Sequence, residues 1–224
     1  MKKKFLFVLL LVLALSASLF VGCKKDNTTS TDSTSNNSSS SFRDSSSSSA
    51  PNSSSVTEDD YADFMFTQTG NTYELTAYSG NDEVVTVPKT YKGKSVTIIG
   101  EKAFYDCSNI RKIVLPDTLK EVGSEAFGYC SNLADIDMPT CVRIMDNAFI
   151  GCSALEEIVL PHGMVYLGKK LFTDCYKLKK VVVNSGTILA ETFAGCLAKE
   201  IEVKNNVESI KPYAFSACKN ILYK

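Results

Sequence analysis

From about residue 95 onward the chain repeats one pattern of apolar and polar positions. Phe recurs as Phe104, Phe127, Phe149, Phe172, Phe193 and Phe215, at intervals of 23, 22, 23, 21 and 22 residues. A cysteine stands three residues after each: Cys107, Cys130, Cys152, Cys175, Cys196 and Cys218. Ala precedes the Phe in four units, as Ala103, Ala126, Ala148 and Ala214. After each Cys comes a strand-like stretch with apolar residues at its first, fourth and sixth places: Ile110/Ile113/Leu115, Leu133/Ile136/Met138, Leu155/Ile158/Leu160 and Leu178/Val181/Val183. A fifth copy is one residue shorter, Ala198/Ile201/Val203. Pro116, Pro139 and Pro161 close three of these strands, and a second apolar pair, as in Leu119/Val122 and Met164/Leu167, leads to the next Phe. Gly100, Gly123 and Gly168 stand four residues before their Phe, as expected where a chain turns sharply. A unit this short cannot bury its own apolar face, so neighbouring units must stack around a continuous core. The Phe stripe, Met138, Met164 and Cys141 all read as parts of that core.

The consensus Ile-Gly-x-x-Ala-Phe-x-x-Cys-Ser-x-Leu-x-x-Ile-x-Leu-Pro resembles the BspA-like leucine-rich repeats of bacterial surface proteins, over roughly residues 95–224 in six copies. The resemblance implies a mainly β, right-handed leucine-rich-repeat solenoid of about six 21–23-residue units. It also implies binding through a parallel sheet on the concave face. Asn184 and Lys204 stand where Pro is expected, and Leu189 and Lys211 where Gly is expected, so the last turns should be less regular.

Residues 56–94 are expected to form a short N-terminal β cap, because a solenoid needs a polar outer face at its ends. Residues 60–94 do not follow the period. Residues 66–76 read as two strands around a Gly70-Asn71 turn, and residues 79–82 as a further turn before a strand at residues 84–87. Residues 221–224 read as a strand start, a short edge strand.

The first 22 residues read as a secretory signal, with Met1-Lys2-Lys3-Lys4 as a basic start and an apolar, uncharged run over residues 5–22. Leu19-Phe20-Val21-Gly22-Cys23 resembles the lipobox of bacterial lipoproteins, which implies cleavage before Cys23 and acylation of that residue (palmitate-type chains). Several acyl chains anchor stably, since each buried CH₂ contributes roughly 0.8 kcal/mol. Residues 24–55 contain 15 Ser, 4 Thr and 4 Asn among 32 residues, too polar to bury a core, and read as a disordered tether. As a flexible coil it would reach about 30 Å. The expected organisation is therefore 1–22 signal peptide, 23–55 lipidated Cys and tether, 56–94 cap and 95–224 solenoid.

Charge and composition narrow the function. The chain has 24 Lys and Arg against 25 Asp and Glu, a net charge of −1, so nothing in it favours nucleic acid. Removing the signal takes away three Lys and leaves 21 − 25 = −4. There is one His, His162, in an expected turn, Pro161-His162-Gly163, which leaves no multi-histidine metal site. No metal and no cofactor is expected. Cysteines stacked one per unit would have parallel Cβ vectors about 4.8 Å apart, beyond the usual disulfide limit of about 4.5 Å. Thiols in a row cannot form a tetrahedral metal site, and each reads as a small apolar residue filling a tight turn. Asp135 and Asp137, about 6.6 Å apart on one strand, are the nearest approach to a glycosidase pair, but they line one wall rather than flank a substrate bond. The chain is read as not an enzyme.

Recognition is then left to the outward strand positions. Copy by copy these are Arg111, Lys112 and Val114; Ala134, Asp135 and Asp137; Glu156, Glu157 and Val159; Lys179, Lys180 and Val182; and Glu200 and Glu202. One ladder runs Lys112, Asp135, Glu157, Lys180, Glu200, with Asp135 and Glu157 as a like-charge pair. With Ala134 set aside, these residues are the candidate protein-binding face. The reading is a monomeric, exported lipoprotein held at the outer membrane or the outer face of the plasma membrane. Its concave face would bind proteins, and the resemblance implies host matrix or neighbouring cell surfaces. The alternatives are a non-binding envelope spacer and a carbohydrate-processing enzyme.

Overall fold

The computed structural model describes residues 61–138, 140–184 and 186–224; the signal, Cys23, the tether and Pro139 lie outside these described residues. Within them the chain enters as a hairpin, β1 (Phe64–Thr69) and β2 (Thr72–Tyr78), followed by β3 (Val84–Thr86), β4 (Thr90–Tyr91) and β5 (Lys94–Ile99). Short strands then alternate between two faces: β6 (Lys112–Val114), β7 (Glu121–Val122), β8 (Asp135–Asp137), β9 (Arg143–Ile144), β10 (Glu157–Val159) and β11 (Tyr166–Leu167). The series ends with β12 (Lys180–Val183), β13 (Gly186–Ile188), β14 (Glu200–Val203), β15 (Val207–Ile210) and β16 (Ile221–Tyr223). The described residues form a mainly β solenoid without an α-helix. Each coil has a strand after the Cys, a second strand before the next Phe, and a Phe–Cys turn joining them.

Side chains alternate across a strand, so a three-residue strand with an apolar centre buries one residue and exposes two. Ile113 and Ile158 are such centres, each at most 3% exposed, while Val181 and Ile201 are buried in the four-residue strands β12 and β14. The second-strand face is one continuous sheet in which β2, β5, β7, β9, β11, β13 and β15 run parallel, with β1 antiparallel at its edge. The first-strand face is divided, β3-β6-β8 and β10-β12-β14-β16.

The six phenylalanines stack. Successive ring centroids from Phe104 to Phe215 lie 5.2–6.0 Å apart, with interplanar angles of 7–19°. Burying one such ring contributes roughly 2–3 kcal/mol, and offset stacking about 0.5–1.5 kcal/mol more. Tyr78 continues the stack, 5.4 Å from Phe104, and its buried hydroxyl donates to Asp82 Oδ2 at 2.9 Å. The hairpin thus adds a seventh ring that the 22-residue period does not reveal. Phe66 and Tyr91, stacked 4.3 Å apart, close the same end.

The Phe turn has a repeated backbone. The residue two before each Phe is left-handed: Lys102, Glu125, Asn147, Lys170, Glu191 and Tyr213, at φ of 52–64°. The residue two after is left-handed too: Asp106, Tyr129, Gly151, Asp174, Gly195 and Ala217. This alternation turns N–H groups toward the next coil. Lys102, Phe104 and Asp106 donate to the carbonyls of Ser124, Ala126 and Gly128, and Glu125, Phe127 and Tyr129 to those of Asp146, Ala148 and Ile150. A turn with no strand ladder thereby satisfies its backbone polar groups between coils.

Two sequence expectations need correction. The glycines before Phe do not serve a sharp turn, since none of Gly100, Gly123 and Gly168 has a positive φ. They permit close stacking. A Cβ on Gly123 would lie 2.7 Å from Glu101 N, and one on Gly168 would lie 2.5 Å from Asp146 N. Residues 60–94 are also not wholly outside the period. Val84–Thr86 pairs in register with Lys112–Val114, and Val85 is 2% exposed, so this segment is already a coil of the solenoid. The irregular last coils compensate locally: Asn184, standing for Pro, is buried and donates to the Leu160 carbonyl at 2.7 Å.

Candidate functional site: the divided strand face

The strands of the first face carry the charged residues in register. Lys112 lies opposite Asp135 and Val114 opposite Asp137; Glu157, Lys180 and Glu200 share one row, and Val159, Val182 and Glu202 the next. Neighbouring coils are joined by ion pairs. Lys112 Nζ donates to Asp135 at 2.5 Å and Lys179 Nζ to Glu156 at 2.6 Å, while Arg111 and Glu83 approach to 3.8 Å. Each is solvent-exposed, so each contributes little to stability. They set the side chains in place. The Lys112 ammonium is shifted up by the hydrogen bond to Asp135, and the Glu156 carboxyl is shifted down by that from Lys179.

The expected ladder is interrupted. Among the described residues β8 and β10 share no pairing, and the interruption falls between Asp135 and Glu157, the like-charge neighbours. Like charges directly opposite destabilise a ladder. On the other face the same coils remain paired, and there Arg143 reaches Glu121 at 3.2 Å and lies over the Tyr166 ring at 5.2 Å. Ile136, at the centre of β8, is only partly buried.

Two residues of the predicted face are not outward. Val182 is 7% exposed and Glu202 is 4% exposed. Both belong to the longer strands β12 and β14, where three successive residues are buried. Glu202 is surrounded by cations: Lys204 donates to it, Lys180 lies at 3.3 Å and Lys224 at 3.7 Å. The Lys204 hydrogen bond, with further help from Lys180 and Lys224, holds its carboxyl down to about 2. The remaining predicted residues, Arg111, Lys112, Val114, Asp135, Asp137, Glu156, Glu157, Val159, Lys179, Lys180 and Glu200, are exposed or partly exposed on one face.

The face also holds a groove that the ladder reading missed. About 550 Å³ in volume, it is lined by Arg111, Asn132, Ala134, Ala154, Glu156 and Lys177. It exists because Ala134 and Ala154 are short where neighbouring coils carry long side chains. The two alanines were the legible signal, at the second and fourth places after a Cys. Asn132 is tied down by donating to the Ser108 carbonyl at 2.7 Å.

The cysteines carry no reactive chemistry here. Cys130, Cys141, Cys152, Cys175, Cys196 and Cys218 are free thiols, all but Cys218 buried. Burial pushes Cys130 and Cys175 up to about 12 and Cys141 up to about 11, so they are protonated at neutral pH. Cys107 is as buried as these, at 1% exposed. His162 is exposed and lies within 3.5 Å of Asn206.

Stacked coils with a phased Phe–Cys turn and an in-register strand face define a leucine-rich-repeat protein. The BspA type leucine-rich-repeat region matches residues 85–196 and 186–223 in six copies, and the chain belongs to that family. No curated protein matches. Among solved structures the chain is similar to a leucine-rich-repeat protein of T. pallidum, with 23% identity and a TM-score of 0.53 over 70% of this chain and 86% of that one. It is similar to a leucine-rich cell surface protein of Faecalibacterium prausnitzii, with 24% identity and a TM-score of 0.53, covering 72% of this chain and only 53% of that one. It is similar also to the pneumococcal vaccine antigen PcpA, at 18% identity, a TM-score of 0.54 and coverage of 71% and 47%. These likenesses establish the fold. Leucine-rich-repeat folds serve generally as protein-interaction scaffolds.

Proposed function

We propose that the chain is an exported, lipid-anchored bacterial surface protein whose strand face binds other proteins in adhesion to host matrix or to neighbouring cells. The observation that supports this best is the strand face itself, where charged side chains of adjacent coils stand in register, exposed and oriented by cross-coil ion pairs. Complementary charge on such a face governs partner choice and association rate more than affinity. Val114 and Val159 add apolar contact between the charges. The similarity to a cell surface protein of F. prausnitzii is consistent with the location. Anchoring rests on the lipobox-like segment ending at Cys23.

The test is capture of purified extracellular-matrix proteins by the immobilised full chain, compared with Lys112→Glu, Glu157→Lys and Lys180→Glu. Binding lost only in the reversals supports the recognition face; equal binding by all four rejects it. For the anchor, Cys23→Ala should move from the detergent phase to the aqueous phase on partitioning, and unchanged retention refutes lipidation.

A further inference from the structure

The groove beside the strand face has a chemistry of its own. It crosses four coils, those of Arg111, Ala134, Glu156 and Lys177, so it runs along the solenoid axis for three intervals of about 4.8 Å, roughly 14 Å. Its floor is two alanines and its ends are two cations. Both cations are exposed to a ligand. Arg111 meets Glu83 only at 3.8 Å with both groups about two-thirds exposed, and Lys177 has no ion pair among the described residues. The one acid in the lining, Glu156, is already held by Lys179 at 2.6 Å. The local balance is Arg111, Lys177 and Lys179 against Glu156 and Glu83, a surplus of one positive charge.

We infer that this groove seats an extended, acidic segment of the partner protein, with two carboxylates on Arg111 and Lys177 and an apolar side chain between them on Ala134 and Ala154. The inference rests on the reading that this face binds proteins. Strand geometry fixes the spacing. An extended chain advances about 3.4 Å per residue and turns alternate side chains to one side, so residues one, three and five face the groove over about 14 Å. The segment is acidic–x–apolar–x–acidic. An apolar residue on a small floor inside a charged rim is the arrangement of an interface hot spot. Because the rim is exposed, its electrostatic share weakens with salt.

The probes are three blocked, labelled peptides, Glu-Ser-Leu-Ser-Glu, Gln-Ser-Leu-Ser-Gln and Lys-Ser-Leu-Ser-Lys, titrated with the full chain by fluorescence anisotropy. The expected result is saturable binding of the acidic peptide at least tenfold tighter than either other. The double variant Arg111→Gln/Lys177→Gln should weaken it at least tenfold, and so should Ala134→Met, which fills the floor and keeps both charges. Melting curves matching the parent establish that the variants fold. Preference for the neutral or basic peptide, no binding at all, or equal binding by the double variant overturns the inference. Matrix-protein capture kept by the double variant, together with failure of the acidic peptide, refutes the groove while leaving the face reading intact. Peptide binding without capture of any matrix protein supports the groove and counts against the matrix ligand.

Discussion

The thiol of Cys152 donates to the carbonyl oxygen of Phe127, one coil earlier, at 3.1 Å. The same bond joins Cys130 to Phe104, Cys175 to Phe149 and Cys218 to Phe193, at 2.9–3.4 Å. Each of these carbonyls also accepts the N–H of the cysteine in its own turn: Cys107 at Phe104, Cys130 at Phe127, Cys152 at Phe149 and Cys196 at Phe193. The cysteine is therefore selected for more than size. It is a small, largely apolar group with one weak donor, placed where a buried carbonyl has a lone pair to fill. Cys152→Ala should destabilise the fold by about 1–2 kcal/mol through lost volume and the lost donor, as measured by urea unfolding. A thiol reagent should leave Cys152 unmodified in the native chain and modify it once urea is added.

Those thiols also set an alkaline limit. Burial raises Cys130 and Cys175 from about 9.0 to about 12, and Cys141 from 9.0 to about 11. A folded-state pKa above the unfolded value stabilises the fold fully below the unfolded value and loses that stability as pH rises through the folded one. The melting temperature should thus fall progressively from pH 9 toward pH 11–12, and Cys130→Ala/Cys175→Ala should flatten that fall.

Glu202 sets the acid limit with the opposite sign. Its carboxyl is held to about 2 against an ordinary 4.5 by Lys204, Lys180 and Lys224. Stability from this group is present above about pH 4.5 and disappears as pH falls toward 2. Glu202→Gln should be less stable at pH 7 and should lose less on acidification over that window, as followed by circular dichroism. Equal acid profiles for the two proteins would contradict the cluster's role.

The left-handed positions of the Phe turn are unequal. Gly151, at φ 71°, would place a Cβ 2.6 Å from the Tyr129 ring, whereas Ala217 occupies the equivalent position, exposed, at φ 69°. Gly151→Ala should cost about 1–3 kcal/mol from backbone strain and displacement of the ring. Ala217→Gly should change stability by less than about 0.5 kcal/mol, because relief of strain is offset by entropy in the unfolded chain. Chemical unfolding of both separates backbone strain from the packing of Tyr129.

The break between β8 and β10 is ascribed to charge. Glu157→Lys would face Asp135 with an opposite charge and should join the two sheets. Slower amide exchange at residues 135–137 and 157–159, with a melting temperature higher by roughly 2–4 °C, is the expected outcome. Unchanged exchange would assign the break to backbone packing instead.

Much of this was legible in the chain. Phe and Cys spacing located every coil from Phe104 onward, and strand alternation placed Ile113, Ile158 and Val181 inside, because each coil repeats the same packing problem. What escaped depended on contacts across coils rather than along them. Tyr78 joins the ring stack from a hairpin outside the period. Val182 and Glu202 are buried because β12 and β14 lengthen and cations gather round Glu202, which alternation alone does not encode. Gly123 is required by an atom of the preceding coil, not by its own φ. The groove arises from two alanines in different coils, whose significance depends on the length of their neighbours.

The central claim is that exposed charges on the strand face select a protein partner. Its most direct measurement is the affinity of the full chain for a matrix protein that it captures, set against the triple reversal Lys112→Glu/Glu157→Lys/Lys180→Glu at two salt concentrations. The account predicts an affinity at least tenfold weaker for the triple variant, with the difference shrinking at high salt. The same affinity for both proteins, with the same salt dependence, would contradict it.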